Sequence, residues 1–417
     1  MRERLPGSGN TTASNVMAAA EVPFDVAVIG LGYVGLPTAL IFAAAGRRTA
    51  GVDVNPQRVR DLENGVIPLN EQAVVELFNQ PSTRSYFTPL SETPPAAAYI
   101  IAVPTPLDSR RKVADLAALR AATHGLVPVL RPGTLVIIES TIPPLTCREI
   151  VKPILEQSGL RVSEDVYLAH CPERLFPGNT LHELVYNARV IGGVCEESTR
   201  RTMELYQTFA KGECLLTDDV TAEFCKLIEN AYRDVNIALS NELAEVATSL
   251  GISVDNAIEI ANRHPRVNLL QPGIGVGGHC IPVDPWFIAE VADTALIPTA
   301  RRINDARPGQ IAKQVRRALA QVDDPLIGFC GVTYKPDVND ERESPAWKII
   351  REIQADGYRT EVYDPITGAG GATDLLDFAR GKDALVVLVP HSAFIAALEE
   401  KRDDLLSCLN HPILLKF

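Results

Sequence analysis

The 417 residues are 46% apolar and carry 40 basic against 52 acidic side chains, a net charge of −12. A chain this long and apolar buries large cores and divides into two or three domains, and its acidic balance excludes sequence-independent binding to nucleic acid. No apolar run approaches the roughly 18 to 20 residues that cross a bilayer; the stretch from Val22 to Leu31 is short and broken by Asp25, so no membrane partner is expected.

In chain order, residues 1–23 are rich in Ser, Asn, Thr, Gly and Ala, lack a signal peptide's apolar core, and read as a disordered tail. Phe24 to Gly30 is an apolar, β-branched run, followed by a Gly-rich turn, the helical stretch Val34 to Ala45 and a second strand from Thr49 to Val54, which together make a βαβ unit. Apolar runs recur at Ala97 to Val103, Leu135 to Glu139, Val166 to Ala169 and Arg189 to Gly193. A doubly wound parallel sheet over 24–216 is the expected first domain.

From Thr217 to Leu250 there is no Gly or Pro, and Val220, Phe224, Leu227, Ile228, Ala231, Val235 and Leu239 keep helical spacing. A helix of that length spans roughly 45 Å, longer than a small domain is wide. It either joins two domains and offers a dimer surface or packs wholly within the chain. The middle domain, 217–305, adds the helix Val254 to Asn262 and a Gly-rich loop. Beyond it the pattern resets: a strand at Leu326 to Gly331, a loop at Val332 to Glu343, a helix at Pro345 to Ala355, strands at Thr360 to Tyr363 and Ala384 to Val389, and the apolar Pro412 to Leu415 as a last strand. A second Rossmann-like domain is expected over 306–417; it lacks a G-x-G-x-x-G, so no dinucleotide is implied there. The fold class is α/β, two doubly wound domains joined by a long central helix.

Three places carry chemistry. Gly30-Leu31-Gly32-Tyr33-Val34-Gly35 is a G-x-G-x-x-G between a strand and a helix: Gly30 permits the tight turn, Gly32 lets backbone approach a pyrophosphate, and Gly35 permits close helix packing. Asp53 ends the second strand about twenty residues on, where an acid accepts ribose hydroxyls and repels a 2′-phosphate, which favours NAD over NADP. Arg58 either caps the ligand or is a solvated helix residue. Third, Gly277-Gly278-His279-Cys280-Ile281-Pro282-Val283-Asp284 sets a cysteine after two glycines, with a carboxylate four residues on. Glycines admit a ligand, and a thiol becomes a nucleophile beside a base or a cation. The eight cysteines are scattered, without a C-x-x-C pair, as in a reduced cytoplasmic protein. No histidine and cysteine spacing suits a metal.

Together with Val-Pro-Thr-Pro at 103–106, Glu-Ser-Thr at 139–141, Pro-Glu-Arg at 172–174, Glu223-x-x-Lys226-x-x-x-Asn230 and the segment from Lys335 through Arg342-Glu-Ser, these motifs resemble the UDP-glucose/GDP-mannose dehydrogenase family from about Phe24 to Pro390. The stretch from Asn262 to Gly273 running on to Trp286 most resembles the N-acetylmannosamine branch; UDP-N-acetylglucosamine and UDP-glucose are the alternatives. The resemblance implies an NAD-dependent double oxidation of a UDP-sugar C6 alcohol to a carboxylate, for cell-surface polysaccharide synthesis, in a homodimer or dimer of dimers. It gives Cys280 as the nucleophile of a thiohemiacetal and then a thioester, Lys226 and Asn230 as donors to the developing oxyanion, Asp284 as holder of a proton-accepting water, Glu173 as acid/base in thioester hydrolysis, and Thr141 as a positioner of water or cofactor.

Cofactor contacts are implied for Gly30, Gly32, Tyr33, Val34, Gly35, Asp53, Arg58, Thr105, Thr141 and Arg342. Substrate contacts are implied for Glu173, Arg174, Lys226, Asn230, Gly277, His279 and Lys335, with Arg266 reaching a neighbouring subunit's substrate. Many UDP-glucose enzymes have a second Glu four residues after the first, where this chain has Pro177. A non-enzymatic NAD-binding module would not need Lys226, Asn230, Cys280 and Asp284 together, and a one-step hydroxyacid dehydrogenase would not need Cys280.

Overall fold

The computed structural model describes residues 22–69, 71–175 and 178–417; most of the expected tail, and Pro177, lie outside them. The first sheet has eight strands, β1 (Phe24–Ile29), β2 (Thr49–Val52), β3 (Phe87–Leu90), β4 (Ala96–Ile101), β5 (Leu135–Ile138), β6 (Tyr167–His170), β7 (Arg189–Gly193) and β8 (Cys214–Asp218), in the order β8-β7-β6-β5-β4-β1-β2-β3. Successive side chains of β1 point to opposite faces, and each face has its own core. Val26 and Val28 pack with Leu36, Leu40 and Phe42, whereas Ala27 and Ile29 pack with Tyr99, Ile101, Leu119 and Val151. Burial on both faces is what makes these strands apolar runs rather than alternating ones. Each such Val, Leu or Ile contributes about 1.5–3 kcal/mol.

The sheet is not wholly parallel, contrary to the sequence expectation. β7 runs antiparallel to β6, pairing Ala169 with Gly193 and His170 with Gly192. The segment between them, with its short helix Thr180–Tyr186, returns the chain at the end where β6 finished instead of crossing over. An antiparallel pair needs no crossover, and apolar runs carry no direction. β3 and β8 were not distinguishable by pattern either; β8 is an exposed edge strand, with Leu215 42% and Leu216 51% exposed.

The long helix is Asp219–Leu250, starting just after β8. Asp218 caps it by accepting the Thr221 N–H, and Gly251 ends it in the left-handed region with φ +68. Buried Glu223 ties it to the first domain by accepting the N–H groups of Leu145 (2.6 Å) and Cys147 (2.8 Å), and burial raises its carboxyl to about 7. Buried Asp234 ties it to the helix Leu296–Ala318 through Arg301 and Asn304. The second sheet, β9 (Leu326–Cys330), β10 (Arg359–Tyr363), β11 (Ala384–Val387) and β12 (Ile413–Lys416), is parallel throughout, in the order β10-β9-β11-β12. It too has a core on each face, Ile327 and Phe329 on one and Cys330 and Leu385 on the other. Among the described residues no helix is long and apolar enough to cross a membrane.

Candidate active site

The turn after β1 sits where strand order reverses between β1 and β4, the crevice at which open α/β sheets take ligands. Gly30 has φ +94, and a Cβ there would lie 2.6 Å from the Ala102 carbonyl oxygen; at Gly35 a Cβ would lie 1.9 Å from the Gly30 oxygen. A Cβ on Gly32 would meet nothing within 4 Å among the described residues, so its backbone is open to a ligand. The helix that follows, Gly35–Ala44, has no side-chain cap; the Leu36 N–H goes to the Gly32 carbonyl (3.2 Å), and the positive end of the helix dipole at the turn favours an anion. Buried Asp53 lies beneath the turn and accepts the N–H of Leu31 (2.9 Å), the N–H of Asn55 (2.8 Å) and Nη1 of Arg58 (3.1 Å). The solvated alternative for Arg58 is thereby replaced by an ion pair.

Tyr33 directs its hydroxyl at Glu71 (3.3 Å) and Thr180 (2.8 Å). Thr105 donates to the Thr141 carbonyl at 2.6 Å, so these two threonines share one side of the crevice. The acid and turn residues thus form a socket suited to a dinucleotide.

The second constellation lies where the long helix meets the Gly-rich loop. Cys280 starts a turn whose carbonyl accepts the N–H groups of Val283 (3.0 Å) and Asp284 (2.8 Å), and the helix Asp284–Ala289 follows. Buried Asn230 donates from Nδ2 to Oδ2 of buried Asp284 at 2.5 Å, and its Oδ1 accepts from Arg233. Clamped at both ends, the amide keeps one N–H for another partner. Lys226 is one helical turn earlier and carries charge to Cys280 and Asp284.

The electrostatics differ from the sequence expectation of an activated thiol. Cys280 is exposed to solvent, yet the protein packed around its sulfur and then the Asp284 charge push the thiol up, and Lys226 and Arg233 offset this only in part. Asp284 is pushed up to about 6 by burial, against Lys226, the Asn230 hydrogen bond and Arg233. The site therefore holds a protonated thiol beside a carboxylate that titrates near neutrality, with cations arranged to favour the thiolate when it forms.

Glu173 is half-buried; its hydrogen bonds go to the Arg174 N–H (2.6 Å) and, at 3.4 Å, to Nη1 of buried Arg189. Arg189 also lies 3.9 Å from Glu139 and over the Tyr206 ring, 4.4 Å from its centroid. Burial and then the Glu173 charge push Glu139 up to about 8. Arg174 pairs with Glu229 of the long helix, and Lys226, Glu229 and Arg233 line one cleft with it.

The glycines before Cys280 have a role that spacing did not reveal. A Cβ on Gly277 would lie 2.8 Å from the Glu343 oxygen and 3.0 Å from Tyr334, and one on Gly278 would lie 3.2 Å from the Tyr334 ring. They admit Tyr334, a residue of the chain itself. His279 is exposed, and its charge is the smallest of the influences that lower the Asp340 carboxyl, on the loop that carries Tyr334. Lys335 is half-buried, and burial and then Arg233 lower its pKa. Exposed Arg342 is bound to Asp340 at 2.6 and 2.9 Å. Arg266 is exposed and, among the described residues, makes no hydrogen bond to this cluster. Arg233, Arg189 and Glu139 are the residues that sequence reasoning missed. Only Arg233 had a signal, its position three after Asn230 and seven after Lys226 on one helix face. Among the described residues no three His, Cys, Asp or Glu side chains converge to hold a metal.

Three family models match the chain. They describe the NAD binding domain (residues 24–210), the central domain (220–306) and the UDP binding domain (328–415) of the UDP-glucose/GDP-mannose dehydrogenase family. A UDP-N-acetyl-D-mannosamine dehydrogenase of Methanococcus aeolicus is 42% identical over 376 residues, 88% of this chain and 85% of the relative. An NDP-N-acetyl-D-galactosaminuronic acid dehydrogenase of Ralstonia solanacearum is 43% identical over 345 residues, 80% and 81%. Among solved structures, the UDP-D-ManNAc dehydrogenase of Pyrococcus horikoshii superposes with a TM-score of 0.86 at 37% identity, covering 94% of both chains. NAD is the cofactor of the first domain.

Proposed function

The chain belongs to the UDP-glucose/GDP-mannose dehydrogenase family, and from that premise we propose that it oxidises the C6 alcohol of UDP-N-acetyl-D-mannosamine to the carboxylate. The observation that carries this reading is the meeting of Cys280, Asp284, Asn230 and Lys226 at the N-terminal half of the long helix, in a chain that also holds a dinucleotide socket. The manno sugar is supported by the Methanococcus and Pyrococcus relatives and by the Asn262 to Trp286 segment.

NAD, when bound, accepts the hydride that the C6 carbon loses at each of two oxidations. The chain supplies the rest. Asp284, titrating near 6, takes the alcohol proton through water, and Lys226 with the free Asn230 N–H steadies the alkoxide. An aldehyde has no hydride to give until a nucleophile adds. The Cys280 sulfur bonds to C6 and the thiol proton passes to the carbonyl oxygen, giving a thiohemiacetal; loss of hydride from C6 and of the hydroxyl proton leaves a thioester. Water then attacks the thioester carbon, with Glu173 as acid/base, and Cys280 leaves with a proton. Thr105 and Thr141 position cofactor and water, Arg174, Gly277, His279 and Lys335 line the sugar nucleotide, and Arg342 serves the cofactor.

Exposed Phe224, Ile228, Tyr232, Leu239, Leu243 and Leu250 make one apolar stripe along the long helix. A stripe of this kind supports a homodimer, in which Arg266 would reach the partner's substrate. All eight cysteines are free, in keeping with a cytoplasmic enzyme feeding cell-surface polysaccharide synthesis. The test of substrate is kcat/KM measured side by side on UDP-N-acetylmannosamine and its gluco and galacto isomers with NAD⁺. A clear manno preference supports the proposal. A galacto preference would move the assignment to the activity of the Ralstonia relative.

A further inference from the structure

In the last domain a buried imidazole is engaged at both nitrogens. His391 and Asp364 have no exposed surface. Nδ1 of His391 accepts the N–H of Asp337 at 2.9 Å, and Nε2 lies 3.0 Å from Oδ2 of Asp364. A ring nitrogen that accepts carries no proton, so the proton of the neutral ring is on Nε2 and is donated to Asp364. The same Asp364 oxygen accepts the Val332 N–H at 2.7 Å, and Oδ1 accepts those of Ile366 (2.8 Å) and Thr367 (3.1 Å). Burial alone would raise this carboxyl, but the His391 bond and the amides outweigh it and hold it at about 2. The pair is a neutral imidazole on a carboxylate.

These bonds converge on one loop, Val332 to Ser344, between β9 and the helix Pro345–Ala355. Val332 and Asp337 give it their amides. Thr333, with Oγ1 3.5 Å from Nε2 of His391, donates to the Lys335 carbonyl at 2.8 Å. Asp337 accepts from Ser392, the neighbour of His391, through N (3.0 Å) and Oγ (2.5 Å). Asp337 has φ +59 and Glu343 φ +53, backbone that non-glycine residues hold only when the surroundings require it. Between the anchored points stands Tyr334, whose ring meets Gly278, two residues before Cys280.

We propose that His391 and Asp364 are positioning residues: they clamp this loop so that Lys335 is presented to the nucleotide and Tyr334 seats the turn that carries Cys280. The proposal rests on the reading of Cys280 and Lys335 given above.

The test compares full-length His391→Ala, His391→Asn and Leu405→Ala. Asn offers a carbonyl oxygen near the Nδ1 position, able to accept the Asp337 N–H, and Ala offers none. Leu405 is buried in the same domain on the helix Arg402–Cys408, away from the loop. Calorimetric titration with UDP, together with KM and kcat for UDP-N-acetylmannosamine, is expected to show His391→Ala weakening UDP binding and raising KM by roughly tenfold or more, the scale of a misplaced binding group. His391→Asn should recover most of that loss, and Leu405→Ala should lower Tm without moving either constant. Unchanged UDP affinity in His391→Ala, or an equal loss in Leu405→Ala at equal Tm, would overturn the clamp. Wild-type UDP binding without turnover of any UDP-hexosamine would instead sink the assigned reaction and leave the clamp to be judged by the UDP titration.

Discussion

The two Rossmann-like halves begin on one plan and use it for opposite ends. In each, a glycine of positive φ ends the central strand and lies against a carbonyl of the next strand's end: Gly30 on Ala102, Gly331 on Val389. In each, an acid just past the neighbouring strand accepts the amide after that glycine, Leu31 to Asp53 at 2.9 Å and Val332 to Asp364 at 2.7 Å, and then the amide two residues beyond itself. The side-chain partner differs. Asp53 has Arg58, whose side chain is 34% exposed, beneath a turn with open space at Gly32. Asp364 has His391, wholly buried. On the proposed reading Asp53 stays beside a ligand site, and its counterpart is closed over by an imidazole and turned to holding a loop. An acid at this strand end therefore indicates a cofactor only when its surroundings leave it reachable.

The largest expected effect lies in neither acid but in the seam between the halves. Cys280→Ala should cut acid formation by roughly a thousandfold or more, as removal of a covalent nucleophile does, while NAD⁺ binding followed by fluorescence is retained. Full uronate production would remove the covalent step. The two acids come next. A hydrogen bond to a charged group contributes about 1.5–3 kcal/mol, roughly ten- to a hundredfold. Asp53→Asn should lower kcat/KM for NAD⁺ on that scale, relax discrimination against NADP⁺ and spare UDP binding, whereas Asp364→Asn should weaken UDP binding. A reversed pattern would break the contrast between the halves.

A smaller effect is on pH. With Asp284 at about 6 and required as the carboxylate, kcat/KM should rise as pH rises through 6, and Asp284→Asn should flatten that limb. An unchanged limb would assign it to another group. The smallest effect is on stability. Glu139 of the first half is raised to about 8, so its contribution is present at low pH and lost as pH rises toward 8. Asp364 is depressed to about 2, so its contribution is present above the ordinary carboxylate range and lost as pH falls. Scanning calorimetry should show Glu139→Gln gaining Tm on wild type as pH goes from 5 to 9, and Asp364→Asn losing most of its Tm deficit only as pH falls through about 2.

Strand and helix positions were legible where burial is two-sided or strictly periodic, as in β1, β5, β9 and the long helix. The direction of β7 was not, because apolar content does not encode direction; nor were the short edge strands β3 and β8. At the site, Gly30, Gly32, Gly35 and Asp53 could be read because their offsets follow from the geometry of one βαβ unit. Lys226 and Asn230 share a helix face, so their pairing was legible too, and Arg233 was available by the same spacing. Their meeting with Cys280 and Asp284, some fifty residues on, rested on resemblance. His391, Asp364, Arg189 and Glu139 act through contacts between distant segments, and nothing local in the sequence marks a buried partner.

The most direct measurement is the NADH formed per sugar when limiting UDP-N-acetylmannosamine is consumed by the purified protein with excess NAD⁺. An alcohol taken to a carboxylate through Cys280 gives two NADH per sugar and a uronate product. One NADH per sugar with aldehyde accumulating, or none, would contradict the four-electron oxidation.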